Sequence, residues 1–182
     1  SSAPEMIIIK NRDRAYDWIV WHDSLADDYH FRLNGTHAAL NSATRFNSTD
    51  PSSTVFTLGS QDDTNGVSGA NDDLIAYCFH SVTGYSKFGT YDGDGTNNGS
   101  NAVNVGFTPA FVMIKCTNDT ESWWIFDNAR NPLNGGEDPK RIQADSSVAE
   151  TTGGSTGSDW VEFTSTGFKM TGSGGGTNGG SG

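Results

Sequence analysis

Two stretches of the chain carry nearly the same text at a fixed distance. Residues 4–10 read Pro-Glu-Met-Ile-Ile-Ile-Lys, and residues 109–115 read Pro-Ala-Phe-Val-Met-Ile-Lys. After a six-residue spacer the first continues Asp17-Trp18-Ile19 and the second Ser122-Trp123-Trp124. The separation is 105 residues at Pro4/Pro109, Lys10/Lys115 and Trp18/Trp123 alike. A repeat period sets the size of the structural unit before any fold is considered. The match continues in order: Phe31–Asn34 with Lys140–Gln143 at 109, Ser53–Leu58 with Ser165–Met170 at 112, and Thr64-Asn65-Gly66 with Thr177-Asn178-Gly179 at 113. A slowly growing offset is what a second copy with a few extra loop residues produces.

The copies differ at their ends. The first runs on into Asp73-Leu-Ile-Ala-Tyr-Cys-Phe-His80, whereas the second reaches Gly182 where that text is due. The second is preceded by Ser86–Tyr91 and Asn101–Phe107, where the first has only Ser1-Ser2-Ala3. The expected division is residues 1–82, the C-terminal part of a first unit, and residues 83–182, a second unit without its last strand. On this reading the sequence is a segment of a longer tandem polypeptide; the alternative is that neighbouring subunits supply the missing strands.

Short apolar or alternating runs recur along the chain. They cover Met6–Lys10, Trp18–His22, Tyr29–Leu33, Val55–Leu58, Leu74–His80, Lys87–Tyr91, Ala102–Phe107, Phe111–Lys115, Trp123–Phe126, Trp160–Phe163 and Gly167–Met170. Their β-branched and aromatic content predicts strands. Turn-formers such as Asn34-Gly35, Asp50-Pro51, Asn65-Gly66 and Asn134-Gly135 separate them. Asp145–Glu150 is a weak candidate for a helix or turn, and Gly172–Gly182 reads as a flexible loop. The pattern predicts an all-β, antiparallel β-sandwich or jelly roll. Leu74–His80 is apolar on both faces, which predicts a central strand.

The chain has 182 residues, 23 of them Gly, with 22 acidic against 11 basic side chains and a net charge of −11. That balance argues against nucleic acid and anionic membranes, both of which recruit clustered cations. No run approaches the roughly 20 apolar residues of a membrane-spanning helix. The two cysteines, Cys78 and Cys116, occupy non-equivalent places in the two copies, so free thiols are expected rather than a repeated disulfide.

The texts Ala3–Lys10, Ile75-Ala-Tyr-Cys-Phe-His-Ser81, Gly84-Tyr-Ser-Lys-Phe-Gly-Thr-Tyr91 and Gly106–Lys115, with Trp123–Arg130 and Phe163–Met170, resemble a module of marine tailed-phage virion proteins. That module is similar to concanavalin A/laminin-G-like jelly rolls and occurs in tandem in tail fibres and comparable appendages. The resemblance implies a structural protein of the virion surface, in a tail fibre or as capsid decoration. Its implied partners are other virion proteins, a homo-oligomer of trimeric or higher order, and host surface glycan. It implies no catalytic residues.

Candidate sites read from the residues are few. Asp92-Gly-Asp94-Gly-Thr-Asn97 has the look of a calcium loop, but it lacks Gly at its sixth position and has Val103 at its twelfth, so it is not an EF-hand. It reads either as a tight acidic turn or as the place where Ca2+ would bind; Asp62-Asp63 and Asn71-Asp72-Asp73 are weaker versions. Trp18, Trp21, Trp123, Trp124 and Trp160 could stack on sugar rings or fill a core. Trp18 and Trp123, equivalent in the repeat, are expected in the core, whereas Trp21 and Trp124 alternate less consistently between the copies, which leaves the exposure of either open. His22, His30, His37 and His80 show no ligand spacing and are expected to be solvated, and His22-Asp23 has no repeated counterpart. Four Asn-x-Ser/Thr sequons (Asn34, Asn47, Asn98, Asn118) are expected by chance in such a composition. No strand alternates acids as a jelly-roll glycosidase requires, so a polysaccharide-degrading enzyme is the weakest of three readings, behind a virion structural module and a glycan- or receptor-binding one.

Overall fold

The structure is a computed structural model that describes residues 2–131, 140–152 and 160–179. Among these the chain is all-β: three antiparallel sheets, with two single helical turns beside them. It divides into two compact units, Ser1–Ser81 and Val82–Gly182.

The first unit is built on one five-stranded sheet. Its strands are β1 (Met6–Asn11), β2 (Ile19–His22), β3 (Tyr29–Arg32), β4 (Leu40–Asn41) and β5 (Leu74–Phe79), in the order β4-β3-β2-β1-β5. In β1 and β2 apolar residues occupy both pleat faces. Ile7 and Ile9 of β1 join Ile19 and Trp21 of β2 and Phe46 in a buried core, flanked by Phe56, Leu58 and Leu74. Side chains of this size contribute roughly 1.5–3 kcal/mol each on full burial. One helical turn, α1 (Asp62–Asn65), precedes β5 and ends at Gly66, whose φ of 76° suits a residue without a Cβ.

The second unit has two sheets over one core. One has the order β10-β9-β8-β7, formed by β7 (Phe111–Ile114), β8 (Trp124–Asp127), β9 (Lys140–Gln143) and β10 (Thr151–Thr152). The other has the order β11-β12-β6, formed by β6 (Ala102–Asn104), β11 (Val161–Thr164) and β12 (Gly167–Met170). Val112, Ile114, Trp124 and Phe126 from the first meet Trp160, Val161, Phe163, Phe168 and Met170 from the second. A second helical turn, α2 (Gly175–Asn178), follows β12.

Positions matched in the repeat make the same bonds. Asp23 N donates to Glu5 O, and Asn128 N to Ala110 O, both 105 residues on. The Lys10 ammonium donates to Asn11 O and the Lys115 ammonium to Cys116 O. Leu33 N donates to Trp18 O and Ala144 N to Trp123 O, while Asn34 Oδ1 and Asp145 Oδ1 accept from the N–H groups of Trp18 and Trp123. The last two pairs fix the third strand at an offset of 111, so Phe31 corresponds to Ile142 rather than to Lys140. The expected 109 is two residues out. A slip of two leaves every side chain on its own face, so alternation could not reveal it.

Other expectations are corrected by the pairing. Leu74–Phe79 is an edge strand, and it is exposed along almost its whole length. Val55–Leu58 and Lys87–Tyr91 form no ladder, and Asp145–Glu150 holds a turn but no helix. Gly175–Asn178, expected in a flexible tail, is a helical turn with Thr177 and Asn178 buried; residues 180–182 of that stretch lie outside the described residues, as does the Asn134-Gly135 turn.

Candidate functional site

Two features are exposed or polar beyond what folding the core requires. The first is the outer side of β5, where Ile75, Tyr77 and Phe79 are all exposed. Trp18, half-buried, stacks on Tyr77 with ring centroids 6.5 Å apart and planes 24° from parallel. Contiguous exposed apolar residues are a common feature of surfaces that bind a partner, which makes this strand a candidate site. The core-side residues Ala76 and Cys78 are exposed as well.

The second feature is the loop 92–101, pinned to α2. Asn178 is 1% exposed. Its amide donates to Asp94 Oδ1 at 2.9 Å, Thr96 O at 2.6 Å and Gly172 O at 3.1 Å, and its oxygen accepts from Asp94 N at 3.1 Å and Asn101 Nδ2 at 2.7 Å. Asp94 is drawn into the same network: Oδ1 also accepts from Thr96 N and Oγ1, and Oδ2 from Ser100 Oγ. The backbone N–H of Thr96 and the hydroxyl and amide donors hold its carboxyl below the usual carboxylate range. With donors on both oxygens, Asp94 organises its own loop; a cation there would have to displace them. Asp92 contributes its backbone carbonyl to Asn101 Nδ2. Among the described residues no group of three or more His, Cys, Asp or Glu side chains is gathered closely enough to hold a metal ion.

The weaker acidic candidates are tied to neighbouring side chains. Asp63 pairs with Arg45 at 2.6 Å, and Asp62 accepts from the Tyr16 hydroxyl at 3.3 Å. Asp72 accepts from Arg14 Nε at 2.8 Å, Val67 N at 3.0 Å and Asn11 Nδ2 at 3.2 Å, and the Arg14 bond first, then the Val67 N–H, lower its carboxyl to about 2.

The tryptophans are distributed otherwise than expected. Trp21 and Trp124 lie in the two cores, with Trp160 beside Trp124, while Trp18 is on the opposite side of its sheet. Trp123 is buried as expected. The guanidinium of Arg141 lies 3.8 Å from the Trp124 ring centroid and 4.4 Å from that of Trp160, a cation–π sandwich with no warning in the spacing. His30, expected in solvent, is 1% exposed. Burial first, then the charges of Arg45 and Arg32, depress its imidazole to about 4. His22 is half-buried, with Nδ1 2.7 Å from Ser24 Oγ and 3.0 Å from Asp23 Oδ1, and burial lowers its imidazole too. Both cysteines are free.

Asn178 and Arg141 are the residues that reading for chemistry passed over. Asn178 had a usable signal, since Thr64-Asn65-Gly66 repeats as Thr177-Asn178-Gly179. A family match spans residues 1–182, the entire sequence. The chain belongs to the family described as Domain of unknown function (DUF7483). No curated protein matches it, and no solved structure does. Among the described residues no helix is long and apolar enough to cross a membrane.

Proposed function

We propose that this DUF7483 chain is a structural module of a tailed-phage virion, part of a fibre, appendage or capsid-surface protein in which laminin-G-like β-sandwich units follow one another in tandem. The observation that carries this reading is the recurrence of the same strand-end bonds at positions 105 and 111 residues apart. A chain assembled from repeated β-units is extended by adding units, and each unit leaves its loops free to vary. The resemblance of Ala3–Lys10, Gly84–Tyr91 and Gly106–Lys115 to phage virion modules supplies the setting. An acidic surface that repels its copies until specific edges meet suits an assembled, solvent-facing particle component. Its partners in this reading are other virion proteins and further copies of itself, in a trimer or higher oligomer. Mass spectrometry of purified particles should recover its peptides, and immunogold labelling should decorate the particle surface. Peptides confined to the soluble lysate, with bare particles, would overturn the assignment.

One observation favours attachment to host glycan as a second role. Trp18 and Tyr77 form a near-parallel pair beside exposed Ile75 and Phe79, and a partly open aromatic face suits a pyranose ring. A glycan array probed with the chain should show hits that Tyr77→Ala reduces. An array without hits would remove this role and leave the structural one standing.

A further inference from the structure

We propose that the outer edge of β7 is a binding site for a separate extended peptide segment of β5's chemistry, taken up antiparallel as an added strand. The inference rests on the repeat within the reading above, not on the virion setting.

β7 and β1 are counterparts 105 residues apart. Each pairs antiparallel with the next strand: Ile7↔Trp21 and Ile9↔Ile19 in one unit, Val112↔Phe126 and Ile114↔Trp124 in the other. The inward residues of both lie in a buried core. The strands differ on the other side. β1 carries β5 along its full length, in the register Met6↔Phe79, Ile7↔Cys78, Ile8↔Tyr77, Ile9↔Ala76, Lys10↔Ile75 and Asn11↔Leu74. β7 stands at the end of its sheet among the described residues. The consequence is measurable at matched positions: Met6, opposite Phe79, is 5% exposed, and its counterpart Phe111 is 55% exposed.

The edge has the character of an acceptor. β7 reads Phe-Val-Met-Ile, without the charge, proline or bulge with which proteins ordinarily blunt an open strand. Pro109 and Lys115 on either side of it match Pro4, which precedes β1, and Lys10, which lies within β1, and neither prevents β5 from pairing there. Strand addition to such an edge takes affinity from main-chain hydrogen bonds and specificity from alternate side chains.

Transferring the β1–β5 register to β7 defines the ligand. The segment is uncharged over six residues. A large aromatic side chain falls opposite Phe111 and Met113, and a small one opposite Val112 and Ile114. Its leading residue is also specified. In the first unit Asp72, just before β5, is held by Arg14 and Asn11. The residues 105 positions on are Asp119 and Cys116. The guanidinium that holds Asp72 in the first unit is thus replaced by a carboxylate in the second, so a basic residue suits the head of the segment better than an acid.

The test uses the intact chain and two fluorescent peptides covering residues 72–81, both with Cys78→Ser. One keeps Asp72 and the other carries Asp72→Lys. The lysine peptide should bind, protect the amides of 111–115 from hydrogen exchange, and bind about fivefold more tightly than the aspartate peptide, the scale of an exposed charge pair. Phe111→Asp, at an exposed position that leaves the fold intact by circular dichroism, should weaken binding roughly tenfold by placing a charge opposite an aromatic residue. A shuffled peptide binding equally well would overturn the proposal, as would protection elsewhere. So would a sedimentation profile showing a self-associated chain that takes up no peptide, since a second copy would then own the edge. Failure of virion labelling with peptide binding intact removes only the setting; failure of peptide binding with labelling intact removes only this site.

Discussion

His30 shows how a residue's place in the sheet overrides what its type suggests. It lies on β3, between Arg32 on its own strand and Arg45 nearby, and folding leaves it almost no contact with water. The folded protein therefore keeps the imidazole neutral down to about pH 4, whereas in the unfolded chain it takes a proton near its ordinary 6.5. Because the unfolded state binds the extra proton, stability is full above about 6.5, falls as the pH drops toward 4, and levels off below that. Between pH 7 and pH 5 the loss should be about 1–2 kcal/mol, read from urea midpoints. His30→Gln should flatten that difference, and an unchanged slope would show that another group, with His22 first in line, carries the titration. The tryptophans make the same point with larger energies. Trp21→Ala opens a core cavity and should cost about 3–5 kcal/mol, while Trp18→Ala removes a half-exposed stacking partner and should cost about 1 kcal/mol. Equal costs would contradict the assignment of Trp21 to the core. The sequence could place both residues in one strand but not choose between faces, because Trp18, Ile19, Val20 and Trp21 present apolar side chains to both.

At the scale of elements, most strands were legible from local text, β5 and β6 included although neither repeats, whereas which distant partner completes a strand was not. β1, β2, β7 and β8 were visible because their own alternation and their 105-residue echo agree. Val55–Leu58 is the repeat counterpart of β12 and follows a matching turn: Ser52 N donates to Val55 O where Thr164 pairs with Gly167. It forms no ladder because β12 is completed by β6 through Phe168↔Val103, and the first unit has no such strand among its described residues. The contrast at one position is sharp. A Cβ on Gly167 would sit 1.9 Å from Val103 O, whereas the matching residue, Val55, is exposed. Gly167→Ala should therefore separate β6 from β12 and destabilise the second unit by about 1–3 kcal/mol, the scale of overpacking. Val55→Gly should cost about 0.5–1 kcal/mol through backbone entropy alone. The helical turns differ in the same way. Asn178→Ala strips Asp94, Thr96, Gly172 and Asn101 of a shared buried partner, and it should cost about 1–3 kcal/mol and open the 92–101 loop to proteolysis. Asn65, its exposed counterpart, has one amide bond, to Gly59 O at 2.7 Å, and Asn65→Ala should leave protease resistance unchanged.

At the scale of the whole molecule, the repeat text divides the chain into two pieces that differ at their ends, and the packing makes them unequal in the core as well. The second unit closes two sheets on one core that takes in two aromatic residues from one side, Trp124 and Phe126, and three from the other, Trp160, Phe163 and Phe168, with Arg141 over Trp124 and Trp160. The first has a single sheet, and its core relies on Phe46 and on half-buried Phe56 and Leu58 from segments outside the sheet. Its edge strand β5 is held by ladder bonds and by ion pairs such as Arg12–Asp73 that stand in solvent, and exposed pairs contribute about 0.2–1 kcal/mol each. Less apolar area removed from water means less stability to set against the same entropy per ordered residue. The ends of the two copies announce that β5 and β6 lack counterparts, but which segments close each core is set by contacts that the shared strand texts do not specify. In a denaturant series followed by hydrogen exchange and mass spectrometry, peptides from residues 2–81 should lose protection at a lower midpoint than peptides from 102–127 and 160–171, and the β5 peptide should be first among them. Added salt should lower the early midpoint slightly, by screening Arg12–Asp73 in solvent. One coincident transition across all peptides would mean that the two compact units share a cooperative core, and the difference in buried area could then not govern their order of unfolding.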